Sequence, residues 1–136
     1  AQLQVASSQR DAALYVYLSE VEADGRTHFI TEGMLRALHR ALGEAPASYR
    51  TTWPWRPFTR AQAKLLTPGV AERLVFALLP VSWTLKRGSR LRISIAGADA
   101  DHFPQVPHGA PPRLELVLGG AVASFIELPL RPVVAP

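Results

Sequence analysis

Apolar side chains recur at every second position over much of this chain, and this spacing restricts it to a fold built from β-strands. In "RLRISIAG" (90–97), a leucine and two isoleucines alternate with arginines and a serine. Such alternation puts apolar side chains on one face of a strand and polar ones on the other. We predict about eight closely spaced strands, which favours an antiparallel β-sandwich. Seven of them lie at 3–7, 13–21, 27–31, 72–80, 90–97, 112–120 and 123–130.

The alternation also assigns side chains to the two faces of a strand. In 112–120, the residues Leu114, Leu116 and Leu118 share one face, which we expect to point into the core. In 90–97, Arg90 and Arg92 lie opposite the apolar face, which indicates a half-buried strand with solvated arginines outside.

The segment "TEGMLRALHRALG" (31–43) fits two kinds of structure. Leu35, Leu38 and Leu42 recur at helical spacing, and Gly43 is a suitable residue to end a helix. The same stretch also alternates as a strand would. Periodicity alone leaves helix and strand open here.

The segment "PASYRTTWPWRPFTRAQAKLLTPG" (46–69) is rich in proline and aromatic residues and has little periodicity, which predicts a long ordered loop. Trp53, Trp55 and Phe58 are too apolar to remain free in water. We expect them to pack either on this domain or on a partner domain.

Composition limits the class of protein. The 136 residues suit a single domain over 1–136, and 48% hydrophobic residues suffice for a core. The absence of cysteine excludes disulfides, thiolate zinc sites and a cysteine nucleophile. A net charge of +4 raises nucleic acid as a partner, but the arginines are dispersed without interleaved exposed aromatics, so we do not expect it.

No apolar run approaches the roughly 20 residues of a membrane helix, and nothing resembles a signal peptide. We therefore expect no membrane partner and favour a cytoplasmic location. The chain opens directly in strand-like sequence, which indicates a fragment of a longer protein.

The polar stretch "AGADADHFPQVPHG" (96–109) is the strongest candidate for chemistry. Asp99, Asp101, His102 and His108 offer atoms that bind metals, but their spacing matches no metal signature. A catalytic triad needs an activated serine, and no G-x-S-x-G occurs. We expect a turn in which Asp99 or Asp101 binds backbone amides or an arginine, with no metal and no cofactor.

Three stretches, in order, carry a family resemblance: "LYVYLSEVEADGRTHFITEGMLRALHR" (14–40), "LTPGVAERLVFALLPVSWTLKRGSRLRISIAGADADHFP" (66–104) and "GGAVASFIELPL" (119–130). They resemble the C-terminal domain of the family of X-prolyl dipeptidyl aminopeptidases, cocaine esterases and α-amino-acid ester hydrolases. The family shows a DG turn leading into "TEG-LRAS-R", then "GHRLRL" before a varied Gly-x-Asp turn, and a final "SRLELPV". The individual motifs are loose, and it is their order and spacing that carry the resemblance.

The resemblance implies a jelly-roll, galactose-binding-like β-sandwich, with 31–43 as a strand running into an extended arm. It also implies that the serine hydrolase triad lies in a preceding α/β-hydrolase domain, which the jelly roll stabilises while shaping substrate access. No catalytic residue is carried over to this chain, and the family's first jelly-roll strand is missing or truncated before Ala1. The interface or substrate-cleft candidates are Trp53, Trp55, Phe58, Asp99, Asp101 and His102.

The alternative function is a carbohydrate-binding module, because jelly rolls often serve that purpose. Its platform would comprise Trp53, Trp55 and Trp83 with Tyr49.

Overall fold

The computed structural model describes residues 1–132 and contains β-strands and short 3₁₀ turns. Across this range there is no α-helix, and no helix is long and apolar enough to cross a membrane. The strands are β1 (Gln2–Ser7), β2 (Ala13–Val21), β3 (Thr27–Arg36), β4 (Glu72–Val75), β5 (Arg90–Ala96) and β6 (Leu114–Leu116), and the 3₁₀ turns are Ala37–His39 and Arg60–Gln62.

The six strands form two antiparallel three-stranded sheets, ordered β4–β1–β6 and β3–β2–β5. Their apolar faces meet in one core, which confirms the all-β sandwich. Jelly-roll connectivity stays a prediction. The core side chains are Leu3, Val5, Leu74 and Phe76 from one side and Leu14, Val16 and Leu35 from the other, with Ala12, Ala37 and Leu66.

The segment 31–43 begins as a strand, as the family resemblance implies. Strand β3 continues to Arg36, with Leu35 buried and Met34 exposed, so the side chains alternate. Only Ala37–His39 turns, as a single 3₁₀ turn, and residues 40–58 then form an arm without regular structure. The helical interpretation is therefore wrong, because Leu35 pairs across the sheet with Leu14.

Three predicted strands are shorter in the structure. The strand at 72–80 ends at Val75, because the chain then leaves β4 and Leu79 N–H donates to the Glu32 carbonyl. The strand at 112–120 reduces to β6, and Leu118 is 77% exposed rather than facing the core. The strand at 123–130 reduces to a single antiparallel bridge between Phe125 and Gln2.

Strand β5 is largely exposed on both faces. Arg90 and Arg92 are exposed, as predicted, but Ile93 and Ile95 on the opposite face are also 47% and 37% exposed. The expected half-buried strand is therefore wrong for its apolar side. Because β6 has only three residues and Leu114 lies against Gly97, the opposing sheet covers only the end of β5.

Gly33 lies where the crossing segment presses on β3. A Cβ atom at this position would lie 2.5 Å from the Ala77 carbonyl oxygen and 3.0 Å from the Leu78 Cα. Both are backbone atoms, which cannot rotate away as a flexible side chain would. The close approach lets Leu79 reach Glu32, and the Thr31 hydroxyl donates to the Leu79 carbonyl at 2.7 Å.

We expect Gly33→Ala to lower the free energy of unfolding by about 1–3 kcal/mol, the usual range for overpacking. Chemical denaturation measures this value. Gly119→Ala is the control, because a Cβ there meets nothing within 4 Å. Equal stability of the two variants would contradict the close packing of 77–78 on β3.

Candidate functional site

The loop that follows β5 folds back over the outer face of the β3–β2–β5 sheet. The Tyr17 hydroxyl donates to Asp99 Oδ2 at 2.6 Å, and His102 Nδ1 lies 2.9 Å from Asp99 Oδ1. The Phe103 ring stacks on Tyr15, with centroids 5.2 Å apart. The loop is thus fixed to β2 by one hydrogen bond and one aromatic stack.

The partners of Asp99 differ from the prediction. Its carboxylate binds a tyrosine and a histidine, where backbone amides or an arginine were expected. Within residues 1–132, Asp101 and His108 have no side-chain hydrogen bond, so of these four residues only Asp99 and His102 are joined by one. The sequence does not mark Tyr17 as a partner of this loop, because Tyr17 lies inside a strand of apolar and aromatic residues.

Asp99 and His102 stabilise each other's charged forms. Hydrogen bonds from Tyr17 and His102 lower the pKa of Asp99, and the Asp99 carboxylate in turn raises the pKa of His102. Burial, reinforced by Asp99, raises the pKa of the Tyr17 hydroxyl. The Asp99 side chain is 14% exposed and that of His102 is 70% exposed, so the imidazole ring of the pair faces solvent.

Chemically, this is a histidine oriented by a carboxylate. Within the part of the chain that the structure describes, the hydrogen bonds of the His102 ring go to Asp99, and no serine hydroxyl bonds to it. The Ser124 hydroxyl accepts from the Gln4 amide. Among the same residues there is no group of three side chains able to hold a metal.

The aromatic arm is held at Arg56, which is buried. Its guanidinium donates to the His39 carbonyl at 2.8 Å and to the Val75 carbonyl, and it lies 3.5 Å from the Pro54 carbonyl. Burial lowers the pKa of Arg56. An arginine among the aromatic and proline residues of "WPWRPF" is the one sequence feature that marks this position. Sequence alone does not show whether such an arginine is buried or solvated.

The arm's aromatic side chains divide into two groups. Trp55 is half-buried, stacks edge-on with Tyr49 at 4.9 Å, and its carbonyl accepts from Gly43 N–H. Trp53 and Phe58 remain 40% and 66% exposed. Phe58 also has a positive φ of 52°, a strained conformation for a bulky residue. Trp55 therefore packs within the arm, whereas Trp53 and Phe58 face solvent.

Glu20 is a second buried anchor. Its carboxylate, fully buried on the inner face of β2, accepts from Trp83 Nε1 and from the Lys86 amide, both at 2.8 Å. These hydrogen bonds lower the pKa of Glu20. Its position in the strand predicts that it points inward, because Glu20 follows Leu14, Val16 and Leu18 at every second residue.

The carbohydrate platform is not assembled. Trp83 lies beside His28 near the start of β3, whereas Arg56 and Trp55 lie beside His39 beyond its end. The strand between them spans about 25 Å at roughly 3.3 Å per residue. Trp83 therefore does not share a surface with Trp53 and Trp55.

Two packed antiparallel sheets with long connecting arms place this chain among the β-sandwich domains. Residues 1–119 match the family described as the X-Pro dipeptidyl-peptidase C-terminal non-catalytic domain, and the chain belongs to that family. This confirms the resemblance carried by the sequence motifs and supports the accessory interpretation over a carbohydrate-binding module.

Two curated relatives are similar over most of this chain. They are the Mycobacterium bovis protein named "Putative serine esterase Mb1866c" and the Mycobacterium tuberculosis protein named "Putative serine esterase MT1883". Each is 44% identical over 126 residues, which cover 93% of this chain and 20% of the relative. The chain therefore spans about a fifth of their length. No solved structure matches it.

We expect Arg56→Ala to destabilise the chain by on the order of 2–3 kcal/mol, because partly buried carbonyls lose a charged donor. The arm should also become more sensitive to chymotrypsin at Phe58, which is followed by Thr59. Arg60→Ala is the control, because Arg60 is exposed on the neighbouring 3₁₀ turn. Equal cleavage rates in the two variants would show that Arg56 does not hold the arm.

We expect Asp99→Asn to lower the pKa of His102, measured by NMR titration of its ring protons. The protonated ring stabilises the folded loop below the ordinary histidine pKa of about 6.5, and this contribution is lost as the pH rises through the raised pKa. Asp101→Asn should have a smaller effect, because Asp101 acts only through its charge. An unchanged His102 titration in Asp99→Asn would refute the pair.

Proposed function

We propose that this chain is the non-catalytic C-terminal domain of a longer serine hydrolase, in which it stabilises an α/β-hydrolase catalytic domain and shapes access to the substrate. The family match over residues 1–119 carries this proposal. The relatives, about five times as long as the matched segment, leave ample length for a catalytic domain.

The distribution of exposed apolar side chains supports a domain interface. Trp53 and Phe58 project from an arm that Arg56 fixes in place, so the conformation of the arm keeps both side chains exposed. Holding large aromatic side chains in water is unfavourable unless another surface covers them. The partner we propose for this surface is the catalytic domain of the same polypeptide.

The loop at 97–109 has a different role in this proposal. Tyr17 and Asp99 orient His102 so that its exposed ring presents a hydrogen-bond donor and, when protonated, a positive charge. Such a group suits the rim of a substrate cleft or the edge of a domain interface. Asp101, exposed beside it, adds negative charge to the same rim.

The reaction we propose for the whole protein is hydrolysis of an ester through a serine nucleophile that lies outside this chain. The names of the two mycobacterial relatives favour the ester. The family description favours an X-Pro dipeptide as the second candidate substrate.

Active-site labelling of the full-length polypeptide tests this function. A fluorophosphonate probe forms a covalent bond with an activated serine, and tryptic mapping then locates the modified residue. We expect the label outside the 136 residues of this chain, with loss of p-nitrophenyl butyrate hydrolysis in step with labelling. Glycyl-prolyl-p-nitroanilide, assayed in parallel, separates ester from dipeptide specificity. A label on Ser94, Ser124 or any other serine of this chain would overturn the proposal.

A further inference from the structure

Strand β5 is an edge strand with an open side. Its neighbour in the β3–β2–β5 sheet is β2, which pairs with it from Tyr15 to Val21. Over residues 1–132, no backbone hydrogen bond joins the other side of Arg90–Ala96 to any segment. The peptide groups that point away from β2 are therefore open to pairing, and a seven-residue edge of this kind is long enough to receive another strand.

The two faces of β5 are chemically different, and both are exposed. Arg90 and Arg92 project from the outer face, and neither takes part in an ion pair within the described range. Ile93 and Ile95 project from the inner face, where the short β6 leaves them uncovered. A strand added beside β5 would extend both faces at once.

We propose that β5 pairs with an extended segment whose inward side chains are apolar and whose outward side chains are acidic. Residues directly opposite in a sheet interact by charge and by apolar contact, so carboxylates would lie opposite the two arginines. The proposal rests on the proposed function in one respect, because it takes the segment from the catalytic part of the same polypeptide.

Charge argues against a second copy of this chain as the occupant. If two β5 strands paired in antiparallel register about Ile93, Arg92 of each copy would lie opposite Ser94 and diagonal to the other Arg92. Diagonal neighbours in a sheet lie within reach of long side chains, and like charges there are unfavourable. An acidic strand instead neutralises both arginines.

Amide hydrogen exchange in the full-length polypeptide, resolved to single residues, tests the pairing. We expect the β5 amides that point away from β2 to be protected. Replacing Arg90→Glu and Arg92→Glu together should speed their exchange by about ten-fold, because two favourable cross-strand charge pairs become repulsive. Arg73→Glu is the control, because Arg73 is an exposed arginine on β4 in the other sheet, and it should leave β5 unchanged.

Three outcomes would overturn the proposal. Rapid exchange on the open side of β5 in the unmodified protein would show that no strand pairs there. Protection that is unaffected by the double substitution would exclude an acidic partner, and protection that rises with protein concentration would identify a second copy. None of these depends on hydrolase activity, so this result and the serine-labelling result can fail separately.

Discussion

The pairing of β2 on both of its edges is the constraint on which the rest of the structure depends. The strand is covered on its inner face by the opposing sheet and is held by β3 and β5 at its sides. Its two faces carry two different polar anchors, Glu20 inside and Tyr17 outside. Glu20 holds the turn that leads into β5, and Tyr17 holds the loop that leaves it.

The same arrangement explains why the surface is apolar in places. Because β6 is short, the sandwich closes tightly around Leu3, Val5, Leu14 and Val16 but opens along β5. At the other end, the arm after β3 is fixed by a buried arginine whose partners are all backbone carbonyls. Both features suit a domain that is completed by neighbouring parts of a longer protein, as its membership of a non-catalytic C-terminal family suggests.

Period-two alternation was sufficient to predict the all-β class and the positions of β1, β2, β3 and β5. It failed where strand length depends on a neighbour. The stretch at 72–80 is an apolar run typical of a buried strand, yet it leaves its sheet after Val75 to reach β3, and no local signal marks that change of partner. Similarly, Leu118 fits an inward-facing pattern, but β6 ends at Leu116 and the first residues of β1 bind Ser124 and Phe125 instead.

The candidate site was only partly predictable, for a related reason. The polar loop at 96–109 is evident in the sequence. However, Asp99 is hydrogen-bonded by Tyr17, which lies 82 positions earlier in the chain. Arg56 and Glu20 look like ordinary surface charges until their burial is known. Contacts between residues far apart in the sequence decide which polar side chains become buried and hydrogen-bonded. One sequence alone does not reveal those contacts.

Hydroxyl-radical footprinting of the full-length polypeptide tests most directly whether this chain is an accessory domain packed on a catalytic one. The method measures, residue by residue, how fast solvent-exposed aromatic side chains are oxidised. If another domain covers the arm, the oxidation rates of Trp53 and Phe58, corrected for the intrinsic reactivity of each side-chain type, will be as low as that of the half-buried Trp55. If Trp53 and Phe58 instead react several times faster than Trp55 does, the arm is open to water and the account of this surface as a domain interface is contradicted.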